Sequence, residues 1–379
     1  MLKLTLLLRS CVVLWVAETG GLFAAEEFAG KPSIEISSDR LTVTILRQGA
    51  SLASITLRGD PADSNPLWLP EQRQNGGFGH FVCLDGFGAT SPEEAKAGLS
   101  FHGEALRTVF DVVGPVQVNG GVSVTLTATL PLAQERFIRS YEVRSGENVV
   151  YVRSRLESLV AFDRPISWAE HATIGSPFLE RNVTVVDQSG SRSRTRPYEA
   201  AQKGARSFAS GQDFQWPNAP LRGESLGQEK TRELSAAPAT GASMDHSTTA
   251  LDMASTWSWV TAVNPKTRRI VGWVWRTADF PWLQDWQNYP ETGVLARGLE
   301  FSTQPWDIPR REAVALNPLM GNPTFRWLPA RSAIETQFAL FYAETPAAGL
   351  PRVHSVEVTP SEIVVNGSLR LPASVTATK

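Results

Sequence analysis

The chain has 379 residues, 42% of them hydrophobic, enough to fill the core of one large domain or two ordinary ones. Its formal net charge of −2 leaves no electrostatic case for nucleic acid or an anionic membrane surface as a partner. After residue 30 no apolar run approaches the ~20 residues of a spanning helix, so no membrane span is expected.

The N-terminus has the order of an export signal. Lys3 is followed by the apolar stretches Leu4 to Leu8 and Cys11 to Ala17, split by Arg9, and the small pair Ala24-Ala25 precedes Glu26. Residues 1–25 are therefore expected to be a signal peptide and the protein periplasmic or secreted, with a single monomeric domain over 26–379. Without Cys11, Cys83 has no disulfide partner. It lies in the apolar run His80-Phe-Val-Cys-Leu84, which suits a buried, inert thiol.

The patterning that follows is that of β-structure. Leu41-Thr-Val-Thr-Ile-Leu46 and Val122-Ser-Val-Thr-Leu-Thr-Ala128 alternate apolar and polar residues with period two, and Val149 to Leu156 does so more loosely. Turn signals such as Ser145-Gly-Glu147 and Asn264-Pro-Lys266 separate such runs. The one good helix candidate is Ser91-Pro-Glu-Glu-Ala-Lys-Ala97: Ser91 can cap, Pro92 suits the first turn and Gly98 can end it. Residues 188 to about 244 are polar and rich in Gly, Ser and Ala, and read as a long excursion over the surface that could cover a site. Phe214-Gln-Trp-Pro217 would pin that excursion down. The tail from about 350 to 379 holds two short strand-like runs, Val356-Glu-Val358 and Ile363-Val-Val365. Many strands, short turns and almost no helix predict an all-β fold, a large antiparallel β-sandwich.

Three residues stand out as chemistry. His102 in Ser100-Phe-His-Gly-Glu104 and His171 in Trp168-Ala-Glu-His-Ala-Thr-Ile-Gly175 are two of only five histidines, and each precedes a glycine turn. Imidazole moves protons near neutral pH, although a single histidine is as readily a satisfied core residue. Glu300, between Leu299 and Phe301, should face away from both. It then lies either on a solvated face or in a concave one, where desolvation would raise its pKa and make it a stronger base. There is no His-Glu-x-x-His, His-x-His or cysteine cluster, and no metal is expected. Six of the 12 tryptophans lie between Trp257 and Trp286, where they serve either core packing or a sugar-stacking surface.

The ordered set His102, His171 and Glu300 resembles the galactose mutarotase-like superfamily, which includes the aldose 1-epimerases. Phe101-His-Gly103 matches its His-Gly motif, His171 to Gly175 matches the strand end of its second histidine, and Leu299-Glu-Phe-Ser-Thr-Gln-Pro305 matches its Leu-Glu segment. Val263-Asn-Pro-Lys-Thr-Arg-Arg-Ile270 looks like its Val-x-x-Pro-x-x-Gly-Arg hairpin, and Trp275 to Trp286 like the strand that brings aromatic and amide groups to the sugar. The likeness spans roughly residues 34 to 345, in spacing and order. It departs at Leu84-Asp-Gly-Phe87, where Gly86 stands at the place of a family arginine, at Glu170 before the second histidine, and in the polar excursion.

The resemblance implies a sugar bound on a concave face of the sandwich and the interconversion of its anomers by acid/base ring opening. Glu300 would be the base, His171 the acid, and His102 a sugar ligand. Asp245, in Met244-Asp-His246, matches a substrate-binding aspartate, and Trp286, with Trp282 beside it, offers a ring for stacking. No metal or organic cofactor is implied, and the partner is a small-molecule sugar or a glycan end. Two alternatives share the scaffold: a carbohydrate-binding protein without catalysis, and an accessory sandwich of glycan hydrolysis or lysis.

Overall fold

The computed structural model describes residues 26–60, 64–71, 77–118, 120–198, 206–223 and 230–375. The expected signal peptide lies outside the described residues. Two large sheets face each other, and the residues between them form the main core. The larger has eleven strands, in the order Glu26–Phe28, Lys31–Ser37, Leu41–Leu46, Leu52–Leu57, His80–Leu84, Trp168–Gly175, Ala296–Ser302, Trp282–Tyr289, Ser243–Ala250, Arg192–Thr195 and Asp213–Gln215. The smaller has eight strands and runs from Val185–Gln188 through Trp257–Asn264, Arg269–Arg276, Ala333–Glu344, Val149–Ser158, Glu135–Arg144 and Gly121–Leu130 to Asp111–Val118. The neighbours at the centre of the larger sheet pair antiparallel. The all-β sandwich expected from the sequence is the observed fold.

Period-two alternation explains why these segments pair as they do. Leu41, Val43 and Ile45 are fully buried between the sheets, whereas Thr42 and Thr44 are half-buried on the other face. The predicted helix forms over Pro92–Lys96 with a complete capping box: the Ser91 hydroxyl accepts from the Glu94 amide, and the Glu94 carboxylate accepts from the Ser91 amide.

The core between the sheets is not purely apolar. Arg139, from the smaller sheet, donates to Glu170 of the larger one, and both side chains are fully buried. His80 Nε2 at 3.0 Å and Trp168 Nε1 at 2.9 Å complete the shell of the same carboxylate. Further along the larger sheet, Arg297 forks onto Asp285 at 2.8 and 3.1 Å.

The polar stretch after residue 188 differs from its expected course. Arg192–Thr195 and Asp213–Gln215 extend the larger sheet beside Ser243–Ala250, and Asn218–Pro220 pairs with Thr231–Glu233 as a small hairpin. The alternation is present but polar, since Ser193 and Thr195 are the buried residues, and apolar patterning therefore did not reveal the strands. Phe214 and Trp216 pack on Phe208, Ala219 and Leu234, the pinning contact expected of that segment. At the C-terminus, Val356–Val358, Glu362–Val365 and Leu369–Pro372 form a three-stranded sheet that covers apolar residues such as Trp259, Val274 and Phe341 on the smaller sheet. Among the described residues no helix is long and apolar enough to cross a membrane.

Candidate active site

Alternation on the central strands of the larger sheet separates two sets of polar residues. On Trp168–Gly175, Glu170 and Ala172 point into the sandwich, and His171 and Thr173 point to the opposite face. On Ala296–Ser302, Leu299 and Phe301 join the core and Glu300 takes the same outer face as His171. Trp286 lies on the next strand, opposite Gly298. A side chain at 298 would collide with Glu300, because a Cβ there would lie 2.1 Å from Glu300 Oε1. Gly298 is thus the space into which the carboxylate folds back.

His102 reaches this face from a turn. Its φ of 65° is left-handed, an uncommon and strained conformation for a residue other than glycine. The following Gly103, at φ 81°, packs so closely on the next strand that a Cβ would lie 2.1 Å from the Leu84 carbonyl oxygen. The His-Gly pair therefore has a backbone reason: only glycine lets the turn close on the sheet and deliver the histidine.

Together these residues line a cavity of about 620 Å³, a volume usual for small-ligand sites. His171 Nε2 lies 3.1 Å from Glu300 Oε1, and the His102 and His171 rings are 5.2 Å apart, edge to face. Glu300 Oε1 is buried and has no hydrogen-bond partner, so the His171 contact is close without being aligned. On its other side, His171 Nδ1 is 2.8 Å from Thr173 Oγ1, and its ring stacks on Phe81 at 4.2 Å. His102 Nδ1 accepts from the Gly88 amide at 3.1 Å, with Cys83 Sγ at 3.4 Å. The ring hydrogen of neutral His102 must then sit on Nε2, free to be donated.

The electrostatics follow from burial. Desolvation first, then the nearby Asp307 and Asp285 carboxylates, push Glu300 well above the ordinary carboxylate range. Desolvation first, then the His102 ring, pushes His171 well below the usual imidazole value. Desolvation lowers His102 to about 4, so it is a neutral donor near pH 7. Buried Cys83 is raised far above an ordinary thiol, which makes it an inert neighbour.

The structure thus brings together His102, His171, Glu300 and Trp286. It places two other nominated residues elsewhere. Asp245 faces the opposite side of its strand, fully buried, where its carboxylate accepts from the Ser207 and Phe208 amides at 2.7 and 3.0 Å and from Arg232 at 2.7 Å. It anchors the returning chain, and the pocket receives the next residue, His246. Trp282 is buried, with its indole N–H donated to the Pro323 carbonyl at 2.6 Å, so it packs and does not face a ligand. Gly86 has no space for an arginine: a Cβ would lie 2.8 Å from Gly103 Cα and N. The arginine among the residues lining the pocket is Arg107.

Sequence reasoning missed His246, Asp307, Arg107 and Trp68, all of which line the cavity. Trp68 meets Trp286 edge to face at 6.2 Å and is admitted by Gly175, where a Cβ would come within 2.8 Å of it. A signal existed in the glycines, since Gly175 and Gly298 mark places where a neighbouring site residue needs room. Among the described residues no group of three or more His, Cys, Asp or Glu side chains could hold a metal ion.

No protein-family model matches the sequence, and neither does any curated protein. Solved structures do match. A galactose mutarotase-like protein from Clostridium acetobutylicum superposes with a TM-score of 0.58 at 13% identity, over 83% of this chain and 96% of that one. A putative aldose 1-epimerase from Klebsiella pneumoniae gives 0.56 at 15% identity, over 83% and 80% of the two chains. A galactose mutarotase related enzyme from Lactobacillus acidophilus gives 0.55 at 14%, over 83% and 98%. The resemblance read from two histidines and a glutamate is thereby borne out at the level of architecture: the chain has the fold of the galactose mutarotase-like β-sandwiches.

Proposed function

We propose that this pocket binds an aldose and interconverts its anomers by acid/base ring opening. The observation that carries the reading is the His171–Glu300 pair, 3.1 Å apart and desolvated, with Glu300 Oε1 unpartnered. Burial disfavours the charged form of each partner, so the pair holds one proton over a wide pH range and can exchange it with a ligand. In the reactive arrangement the proton is on His171 and Glu300 is the carboxylate. Glu300 takes the hydrogen of the anomeric hydroxyl, the C1–O bond to the ring oxygen breaks as C1 becomes a carbonyl, and His171 protonates that oxygen. Rotation about C1–C2 and the reverse transfers, with O5–H returning its proton to His171 and Glu300 returning its own to O1, close the ring on the other face. His102 donates Nε2–H to the ring oxygen and steadies its charge. Trp286 and Trp68 offer apolar faces to the carbons of the ring.

Polarimetry on freshly dissolved single anomers tests this reading. Wild type should accelerate equilibration of at least one aldose, and Glu300→Gln and His171→Asn should each lose most of that acceleration. Equal rates for wild type and both variants would sink the proposal, and binding without acceleration would favour a non-catalytic sugar binder. Export of the chain is a companion proposal, checked by whether cell fractionation finds it outside the cytoplasm.

A further inference from the structure

Asp307, on the segment that follows the Glu300 strand, is built into the pocket with more care than a surface carboxylate needs. Its Oδ1 is buried and lies in ion-pair contact with Arg196 Nε at 2.6 Å and His246 Nδ1 at 3.2 Å, neither contact aligned as a hydrogen bond. Arg196 also donates Nη2 to the Asp307 carbonyl at 3.1 Å, and its own amide donates to the His246 carbonyl at 2.9 Å. His246 is fixed in turn, with Nε2 2.8 Å from Gln284 Oε1, while the Gln284 amide nitrogen is committed to Ser302 Oγ and the Gln304 carbonyl. Gly88 is the wedge between this set and His102: its amide donates to His102 Nδ1, and a Cβ on it would lie 2.6 Å from Asp307 Cβ. The side chain is 26% exposed and lines the cavity, and with Oδ1 buried, Oδ2 is the carboxylate oxygen left to meet a ligand.

We propose that Asp307 is the sugar anchor of this pocket: Oδ2 accepts from hydroxyl groups of the ligand away from its anomeric carbon, with Arg196 and His246 as positioning residues. The inference rests on the aldose reading above and narrows it to sugars that present free hydroxyl donors to this carboxylate. It gives a role to the polar stretch after residue 188, which supplies Arg196, and it moves the pocket's binding carboxylate from Asp245 to a different segment. A carboxylate ion-paired through one oxygen suits this task, because the pairing holds its charge in place while the second oxygen accepts from the ligand. Desolvation would raise the Asp307 carboxyl, but neighbouring His246 first and then Arg196 outweigh it and hold its pKa below the ordinary carboxylate range.

The test is a cycle between residue and ligand, using the full chain and the aldose that polarimetry identifies, with its series of single-deoxy analogues. Asp307→Asn should raise KM by about tenfold to a hundredfold with kcat changed by much less, the usual loss for a hydrogen bond to a charged group. One deoxy analogue should show a similar loss with wild type and little further loss with Asp307→Asn, because both changes delete one contact. Arg196→Lys, which keeps the charge and loosens its aim, should give a smaller rise in KM and serves if the first variant does not fold. An unchanged KM in both variants, or deoxy penalties that persist in full with Asp307→Asn, overturns the inference and leaves the anomer reading standing. If wild type neither binds nor equilibrates any aldose, both fall.

Discussion

Two glutamates sit 130 positions apart on adjacent strands of the larger sheet, both fully buried, and the structure treats them in opposite ways. Glu170 faces into the sandwich, where Arg139, His80 and Trp168 donate to it, and the Arg139 charge and these donors overcome desolvation to lower its pKa. Glu300 faces the cavity and has a misaligned histidine at 3.1 Å, and burial with the nearby Asp307 and Asp285 carboxylates raises its pKa. The histidine partners repeat the contrast: His80 has Glu170 on Nε2 and the Trp273 indole on Nδ1, whereas His171 meets an oxygen that remains unpartnered. Burial is therefore not what separates these two carboxylates. What separates them is whether donors reach the carboxylate: three groups donate to Glu170, whereas Glu300 Oε1 has no hydrogen-bond partner.

The largest effect that probes this contrast is on rate. Glu300→Gln and His171→Asn should each lower the enzymatic equilibration rate by about 10²–10⁴-fold, the usual contribution of a positioned acid or base, as read by polarimetry with the fold checked by circular dichroism. The matching change on the inner face, Arg139→Met, should act on stability: an unpaired buried carboxylate costs about 3–5 kcal/mol, seen as an earlier thermal transition. Arg139→Met combined with Glu170→Gln should recover much of that loss, because the uncompensated charge is gone. If the single change is silent, the inner network is not what holds the two sheets in register.

A smaller effect joins the two regions. Glu300 has a folded-state pKa above its unfolded value, so stability is fully present below the unfolded value near 4.5 and is lost as pH rises through the folded one. Glu300→Gln removes that loss. Its melting temperature should exceed that of wild type at pH 7, on the order of 1–3 °C, and the gap should close near pH 4. Glu170→Gln should do the reverse, since the Glu170 carboxylate is stabilised in the fold. The smallest expected change is at the rim: Trp286→Ala should raise KM by about tenfold or less, for the loss of one stacking face, while kcat holds.

Much of the site was legible because it obeys alternation. Leu299 and Phe301 fix the core face of their strand, which leaves Glu300 only the other, and the glycines after His102 and near His171 mark the turns and close approaches that the site needs. Asp245 shows the limit of the same reasoning. Between Met244 and Ala250 the strand Asp-His-Ser-Thr-Thr is wholly polar, so alternation does not say which face is inward; a motif match chose the aspartate and the pairing of His246 with Trp286 chose the histidine. Asp307 and Arg196 lie 111 residues apart, in segments without any periodic signal, and nothing local pairs them.

The sequence by itself determined the class of fold and the strand faces where apolar residues alternate with polar ones, because both follow from local chemistry and a spacing of two; His102, His171 and Glu300 were singled out by residue type and by resemblance. Only the tertiary structure decided which buried charges are spent and which are free. That choice depends on Arg139 arriving from the opposite sheet, on Arg196 reaching Asp307 from a distant segment, and on Gly86 being pressed against Gly103 where no arginine fits. These are contacts between segments far apart in the chain, and a charge cannot be read as structural or reactive until its partners are known.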